Sequence, residues 1–256
     1  MRITAWGPLL RNAGSVCFVL LAISQCSAQT ATPANQRNLV RISQLKPDMV
    51  SEWLSIQKSE VNPAFKKAGI ATRTVLETVL GNPYEYVSIT PMGNFSELDG
   101  DNALVKALGK DAAERLLAKT RRCIDSQTLF VSTRIDELSS VPKNPASIWV
   151  TTRYRAAPGM GTDYEAFLKS DVMPVVAKAK AAGKIAGYSV ARRGPGADTR
   201  DRTTVVYLNK IADMEAGTPL TQMLGADGAA KLAKKGASLS AVVELVVRRR
   251  LPDLSY

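Results

Sequence analysis

Two arginines at equivalent positions of a duplicated sequence are the first candidates for chemistry in this chain. Arg134 and Arg250 lie 116 residues apart, and the segments 104–139 and 220–255 align around them without a gap. Twelve of the 36 aligned positions are identical. A guanidinium group binds a carboxylate or a phosphate through two parallel hydrogen bonds. The pair therefore favours an acidic ligand if both point into a cavity, and has no such role if they point into water or pair with acids.

Strand alternation predicts which way these arginines point. Successive side chains of a strand lie on opposite faces. The last predicted strand of each copy, 128–135 and 244–251, has an apolar face of Leu and Val that we expect to pack on helices. The mixed face should look towards the interior of the fold. Its members are Thr128, Phe130, Ser132 and Arg134 in the first copy, and Glu244, Val246, Arg248 and Arg250 in the second.

Earlier strands add aromatic and basic candidates. Trp149 and Arg153 share one face of the predicted strand 148–155, and we assign Arg41 to the matching face of strand 39–45. Tyr86 adds a phenol, which needs a partner if it is buried. Such side chains suit an aromatic or acidic ligand, while ordinary core filling is the alternative use. The candidate ligand-binding residues are therefore Arg134, Arg250, Trp149, Arg153, Arg41 and Tyr86, and no motif assigns a catalytic residue.

The chain contains no histidine. This excludes histidine-based acid–base catalysis, Ser–His triads and histidine ligation of zinc or haem. Two of the three cysteines lie in the N-terminal segment, so Cys123 alone cannot build a thiolate site. The glycine-rich segment 194–201 joins two predicted strands, whereas a phosphate cradle precedes a helix. We therefore expect no metal and no cofactor.

Residues 1–28 have the features of a secretory signal peptide. They combine arginines near the start, a short apolar run at 16–23 and a small residue at Ala28, where we expect cleavage. The run is too short for a spanning helix, which needs about 20 residues. We expect export to a periplasmic or extracellular location. An uncleaved anchor and a lipoprotein acylated at Cys26 are the alternatives.

The charge of the chain is strongly positive. The formal net charge is +11, and residues 146–256 hold 17 of the basic and only 10 of the acidic residues. A basic surface favours a small anionic or aromatic molecule or an anionic envelope surface, although a solvated basic surface with no partner is an equal alternative. Aromatic residues are few and not interleaved with the basic ones. Together with export, this argues against nucleic acid, and the oligomeric state stays open.

Each copy shows the same order of predicted elements, β-α-β-β-α-β. The long first helix of each carries a proline at the same place, Pro63 or Pro174, where a mid-helix proline should break or kink it. This order is the ferredoxin-like unit. The predicted organisation is a signal peptide at 1–28, a flexible leader at 29–37, repeat one at 38–139, a linker at 140–147 and repeat two at 148–256.

The predicted fold class is α+β, with two tandem ferredoxin-like repeats packed sheet to sheet as a pseudo-dimeric α/β barrel. A lone repeat leaves one sheet face bare, and two fused copies can bury those faces. Each copy has a strand, a long helix with a kinking proline, two strands, a helix with the sequence LGKDAAERL or LGADGAAKL, and a last strand. This order of elements resembles the dimeric α/β-barrel superfamily. That superfamily includes stress-responsive barrel proteins, the NIPSNAP group and antibiotic-biosynthesis-type monooxygenases. The resemblance covers about 40–255.

Three functions fit these observations. The first is a non-catalytic module that binds a small acidic or aromatic ligand between its sheets. The second, implied by the resemblance, is a cofactor-independent monooxygenase-like enzyme acting on a phenolic substrate. The third is a structural or interaction protein with a filled barrel. A polar cavity of a few hundred Å³ would favour the first two, and a solid interior would favour the third.

Overall fold

The computed structural model describes residues 35–256. The predicted signal peptide and most of the predicted leader lie outside these residues. Within them eight strands form a closed antiparallel barrel, in the order β1-β3-β2-β8-β5-β7-β6-β4. The strands are β1 (Arg37–Leu45), β2 (Thr74–Leu80), β3 (Glu85–Met92), β4 (Ile124–Arg134), β5 (Ile148–Ala156), β6 (Gly187–Arg193), β7 (Asp201–Leu208) and β8 (Ser240–Arg250).

Seven helices lie outside the barrel in the described part of the chain. They are α1 (Val50–Ile56), α2 (Asn62–Lys67), α3 (Ala103–Leu108), α4 (Lys110–Arg122), α5 (Gly161–Phe167), α6 (Met173–Ala181) and α7 (Pro219–Ala237). No helix among these residues is both long and apolar enough to span a bilayer. The fold is therefore α+β with a closed eight-stranded antiparallel barrel.

The long first helix of each copy contains one turn of π-helix just before its proline and continues past the proline. The turn is Gln57–Val61 between α1 and α2, and Leu168–Val172 between α5 and α6. Proline lacks the N–H that an α-helix would use, and a wider turn before it accommodates the missing bond. The predicted defect is thus present in both copies, as a bulge rather than a break.

The barrel closes through hydrogen bonds between strand edges. Strand β2 pairs with β8, and β4 pairs with β6, so the two four-stranded sheets join at both edges. The inner faces of the two sheets therefore enclose the barrel interior. All pairings are antiparallel, so β1, β2, β5 and β6 run one way and the other strands run the other way.

Each copy completes the core of the other. Leu138 follows β4 yet is buried in the cluster of Tyr164 and Phe167, and Leu254 follows β8 yet is buried beside Trp53. The serine after each leucine repeats the exchange. Ser139 Oγ accepts the Val190 N–H at 3.0 Å, and Ser255 Oγ accepts the Val75 N–H at 2.9 Å. The Leu–Ser pair that is identical in the two copies therefore anchors the end of each copy in the core of the other.

The last strands differ from the prediction at their beginnings. Both β4 and β8 start four residues before the predicted bounds. Their leading parts extend beyond the helices, and this leaves Leu129 43% and Leu245 62% exposed instead of packed. Val131 and Val247, farther along, are buried as expected.

Candidate functional site

The barrel interior contains a cavity of about 300 Å³. We call its two ends the linker end, where the segment 139–147 passes, and the hairpin end, where β2 turns into β3 and β6 turns into β7. Side chains from all eight strands line it, including Val40, Leu76, Val87, Phe130, Ser132, Arg134, Trp149, Thr151, Ser189, Arg193, Thr203, Tyr207 and Arg248. A cavity of this size does not fit the filled-barrel alternative.

Polar aromatic groups line the linker end. Tyr207 OH and Ser189 Oγ form a hydrogen bond of 2.9 Å. The Trp149 ring meets the Tyr207 ring edge to face, with centroids 5.0 Å apart, and Trp149 Nε1 donates to the Ala146 carbonyl at 3.2 Å. Burial raises the pKa of Tyr207 despite the opposing effects of Ser189 and Arg134. Tyr207 is therefore a neutral phenol at neutral pH, able to donate and accept hydrogen bonds.

Arg134 lies at the same end. Its Nε donates to Asp136 Oδ1 at 2.5 Å, and its side chain is 28% exposed. Because it also lines the cavity, its charge faces both an acid and the interior. Such a guanidinium can stabilise negative charge on a bound ligand.

Arg193 lines the cavity towards the hairpin end. Its guanidinium lies 4.6 Å from the centre of the Phe130 ring, and its Nε donates to Thr203 Oγ1 at 3.1 Å. Burial lowers its pKa to about 10, and the charges of Arg153 and Arg248 act in the same direction. The carboxylates of Glu244 and Asp201 act in the opposite direction, so burial of the guanidinium is the main cause of the lowered pKa.

Arg248 is a second cavity-lining guanidinium. Its side chain is only 5% exposed, and Nη2 donates to Glu85 Oε1 at 2.6 Å. The Nε of Arg248 is buried with no hydrogen-bond partner among residues 35–256. A buried donor without an acceptor is costly, so this atom marks a place where an additional acceptor would be favourable.

An ion-pair cluster lies at the hairpin end of the second copy. Arg153 contacts Asp201 at 3.0 Å and Glu244 at 3.3 Å, and Arg155 Nε donates to Asp201 Oδ1 at 2.7 Å. Asp201 is almost fully buried. Burial would raise the pKa of Asp201, but hydrogen bonds from Arg155 and Arg153 outweigh it, and the pKa is lowered. This cluster holds β5, β7 and β8 together.

The predicted site residues divide into three groups. Arg134 and Trp149 line the cavity, and Arg153 lies beyond its hairpin end in the ion-pair cluster. Arg250 is half-buried at the end of β8 and does not line the cavity. The placements of Arg41 and Tyr86 are wrong: Tyr86 packs on Trp53 with centroids 5.2 Å apart, on the helix side. Arg41 shares that side with Leu45, and its pKa is lowered by burial.

The error on β1 has a simple geometric cause. Positions of β1 and β5 correspond at an offset of 111, as their pairings with Val131 and Val247 show. Because this offset is odd, the odd-numbered Trp149 and Arg153 of β5 correspond to the even-numbered Asn38 and Ile42 of β1, and not to Arg41. Asn38 and Ile42 do line the cavity. Sequence reasoning missed Tyr207, Ser189 and Arg193 as site residues. Alternation along β6 and β7 was the available signal, since each lies on the face that carries Thr203.

Metal ligands are not gathered anywhere in the described residues. No group of three or more His, Cys, Asp or Glu side chains is placed to hold an ion within residues 35–256. Cys123 is buried, and burial raises the pKa of its thiol. The site's chemistry therefore consists of phenol, hydroxyl, indole and guanidinium groups.

No protein-family model matches the chain, and no curated protein sequence matches it significantly. The structure is similar to that of an anthrone oxidase-like protein, with a TM-score of 0.57, 11% identity, and coverage of 86% of this chain and 92% of that chain. It is also similar to a provisionally described monooxygenase from Lactobacillus acidophilus, with a TM-score of 0.54, 8% identity, and coverage of 86% and 95%. A third, provisionally described as a monooxygenase from Fusobacterium nucleatum, has a TM-score of 0.54, 9% identity, and coverage of 86% and 94%. These likenesses show a shared fold.

Proposed function

We propose that this protein is a monooxygenase-like enzyme that oxidises a small phenolic substrate inside its barrel without a cofactor. The observation that carries the proposal is the linker end of the 300 Å³ cavity, where Tyr207, Ser189 and Arg134 lie around the Trp149 ring. An aromatic ring fits against Trp149. The Tyr207–Ser189 pair supplies a donor and an acceptor for a substrate hydroxyl.

The reaction needs no external reductant. A ring-activated methylene that becomes a ketone loses two hydrogens and gains one oxygen atom, while the second atom of O₂ leaves as water. The substrate supplies all four electrons, after it loses a proton to water to form a phenolate or enolate. Arg134 would stabilise that oxyanion, and Tyr207 would orient it by donating a hydrogen bond. A buried guanidinium nearby also favours the anion by lowering the pKa of the substrate hydroxyl.

The similar structures support this choice without deciding it. One is described as anthrone oxidase-like and two as monooxygenases, and all share the barrel at identities of 8 to 11%. The resemblance of the chain to antibiotic-biosynthesis-type monooxygenases points in the same direction. The ligand-binding residues were assigned from the cavity of this chain and were not transferred from the similar structures.

Oxygen uptake tests the proposal. The purified protein, mixed with anthrone in air-saturated buffer, should consume one O₂ for each anthraquinone formed and should do so in the presence of a metal chelator. Arg134→Gln should slow turnover, whereas Arg249→Gln, an exposed arginine on the outer face of β8, should not. Oxygen uptake at the uncatalysed rate for anthrone and for other activated phenols would overturn the oxygenase proposal.

A second candidate is binding of the same ligand without catalysis. One observation favours it: burial raises the pKa of Tyr207, so the phenolate form that could accept a substrate proton is scarcely populated at neutral pH. The carboxylates near the cavity are also engaged, since Glu85 pairs with Arg248 and Asp136 pairs with Arg134. Tight binding of a phenol with no oxygen uptake would select this function.

We also propose an origin and a location for the chain. The repeated element order supports two tandem ferredoxin-like repeats within a member of the dimeric α/β-barrel superfamily. The composition of residues 1–28 supports export and cleavage near Ala28. N-terminal sequencing of the protein recovered from the producing cell tests the second point, and a start at Met1 would overturn it.

A further inference from the structure

Three arginines line the cavity, namely Arg134, Arg193 and Arg248, and only Arg193 among them lacks an acidic partner in residues 35–256. Arg193 forms no ion pair with any carboxylate of residues 35–256. It is partly buried, and unpaired charges in such places are unfavourable. The other two arginines that line the cavity each contact a carboxylate: Arg134 contacts Asp136, and Arg248 contacts Glu85.

The guanidinium of Arg193 is fixed in position, but not all of its N–H groups have hydrogen-bond acceptors. Its Nε donates to Thr203 at 3.1 Å, and its face stacks on Phe130 at 4.6 Å. These contacts fix the plane of the group. Both terminal nitrogens are left without a protein acceptor among the described residues, in a side chain that lines the cavity. A fixed fork of N–H groups matches a planar carboxylate.

Arg248 gives a second and independent indication. It lines the same cavity, its side chain is 5% exposed, and its buried Nε lacks an acceptor. The positive charges of Arg153 and Arg248 lower the pKa of Arg193, while the negative charges of Glu244 and Asp201 raise it. Two under-satisfied guanidinium groups therefore line the same cavity.

The phenol site and this cationic site are well separated. Ser189 and Arg193 lie four residues apart on β6, a span of about 13 Å between their Cα atoms. Both point into the same cavity. A ligand that reaches both must be elongated, with a hydroxyl at one end and an acid at the other.

We infer that the cavity takes a hydroxyaryl carboxylate, with its hydroxyl at Tyr207–Ser189 and its carboxylate bound by the terminal nitrogens of Arg193. The inference rests on the proposed function for the phenol end and adds the acid group to it. It predicts a preference that the phenol site alone does not create, because an uncharged amide of the same shape would fill the cavity equally well.

Paired ligands test this inference. The probes are 6-hydroxy-2-naphthoate and 6-hydroxy-2-naphthamide, titrated calorimetrically into wild-type protein, Arg193→Met and Arg193→Lys. Wild type should bind the acid about 10- to 150-fold more tightly than the amide, as expected for a charge-assisted hydrogen bond. Arg193→Met should lose that preference while binding the amide as wild type does. Arg193→Lys should retain part of the preference, and Arg249→Met should retain all of it.

The outcomes separate the two proposals. Equal binding of acid and amide by wild type, with anthrone still oxidised, overturns the carboxylate inference and leaves the proposed function standing. Binding of neither probe, with no oxygen uptake, overturns both. If Arg193→Met does not fold, the lysine variant decides: a reduced preference supports the inference, and an unchanged preference overturns it.

Discussion

At the scale of single residues, the linker end of the cavity owes its geometry to contacts among its own aromatic groups. Trp149 is fixed by its hydrogen bond to Ala146 and by the edge of Tyr207. Tyr207 in turn is held by Ser189. Because each group restrains the next, a ligand meets a site that is already ordered and loses little binding energy to reorganisation.

Replacing Tyr207 with Phe should weaken phenol binding while leaving the cavity's shape unchanged. One neutral hydrogen bond contributes about 0.5–1.5 kcal/mol, so the affinity for 6-hydroxy-2-naphthamide should fall about 2- to 12-fold. The affinity for 2-naphthamide, which lacks the hydroxyl, should not fall. Calorimetry with the two amides measures the difference. Equal losses for both amides would mean that Tyr207 supports packing rather than the hydroxyl.

Asp201 should make the protein sensitive to acid. Its pKa is lowered in the folded protein from the ordinary value of 3.8, because the hydrogen bonds from Arg155 and Arg153 outweigh burial. A carboxyl group with a lowered folded pKa adds stability above its unfolded pKa, and this stability is lost as the pH falls through the folded pKa. The free energy of unfolding should therefore fall between about pH 5 and pH 2.

Asp201→Asn removes this contribution. At neutral pH it should cost about 3 kcal/mol, the low end for breaking a buried ion pair, since Arg155 is partly exposed. Its stability should also depend less steeply on pH than that of wild type. Urea unfolding at several pH values measures both effects. Asp125→Asn, at an exposed carboxylate with no ion pair among the described residues, serves as the control. Parallel pH curves for wild type and Asp201→Asn would contradict the prediction.

At the scale of elements, much of the fold could be predicted from the periodicity of apolar residues and from the positions of proline and glycine. The strand–helix order was readable, and the matched prolines Pro63 and Pro174 indicated a helix defect that is present as a π turn in both copies. The face of β4 was also predictable, since Phe130, Ser132 and Arg134 do line the cavity. The face of β1 was not, because alternation fixes which residues share a face but not which face is inside.

The turn between β6 and β7 shows a contact that no sequence pattern predicts. Gly194 donates to the Val131 carbonyl at 2.8 Å, and Val131 donates to the Pro195 carbonyl at 3.0 Å. The turn thus lies along β4, and Gly196 comes so close that a Cβ would be 2.3 Å from the Leu129 carbonyl oxygen. The glycine is required by backbone packing between elements that are distant in sequence.

Gly196→Ala should therefore destabilise the barrel more than the backbone angle alone explains. Gly196 has a φ of +92°, and Gly159 has a φ of +77° with no atom within 4 Å of an added Cβ. Gly159→Ala should cost about 1–2 kcal/mol from the left-handed backbone. Gly196→Ala should cost about 1–3 kcal/mol more, from the clash. Urea midpoints measure both, and equal losses would show that the turn moves away freely.

At the scale of the whole molecule, the two aligned segments of the sequence contribute to one closed barrel. Strand pairing at β2–β8 and β4–β6 closes the barrel, and the exchanged leucines place part of each copy in the other's core. The alignment marked Leu138 and Leu254 as identical but did not indicate that they cross over. That information resides in tertiary structure, because the segment after each last strand could have folded back on its own copy.

The exchange predicts that damage to one copy unfolds both. Leu254→Ala should cost about 2–5 kcal/mol, because a leucine that is 3% exposed leaves a cavity. Leu138→Ala, 1% exposed in the other copy's core, should cost a similar amount, while Leu245→Ala, 62% exposed, should change stability by less than about 0.5 kcal/mol. Both core variants should still unfold in a single transition, reported at the same urea concentration by tryptophan fluorescence from Trp53 and Trp149 and by circular dichroism. Two separate transitions in either variant would mean that the copies fold independently and that the crossover adds contact without cooperativity.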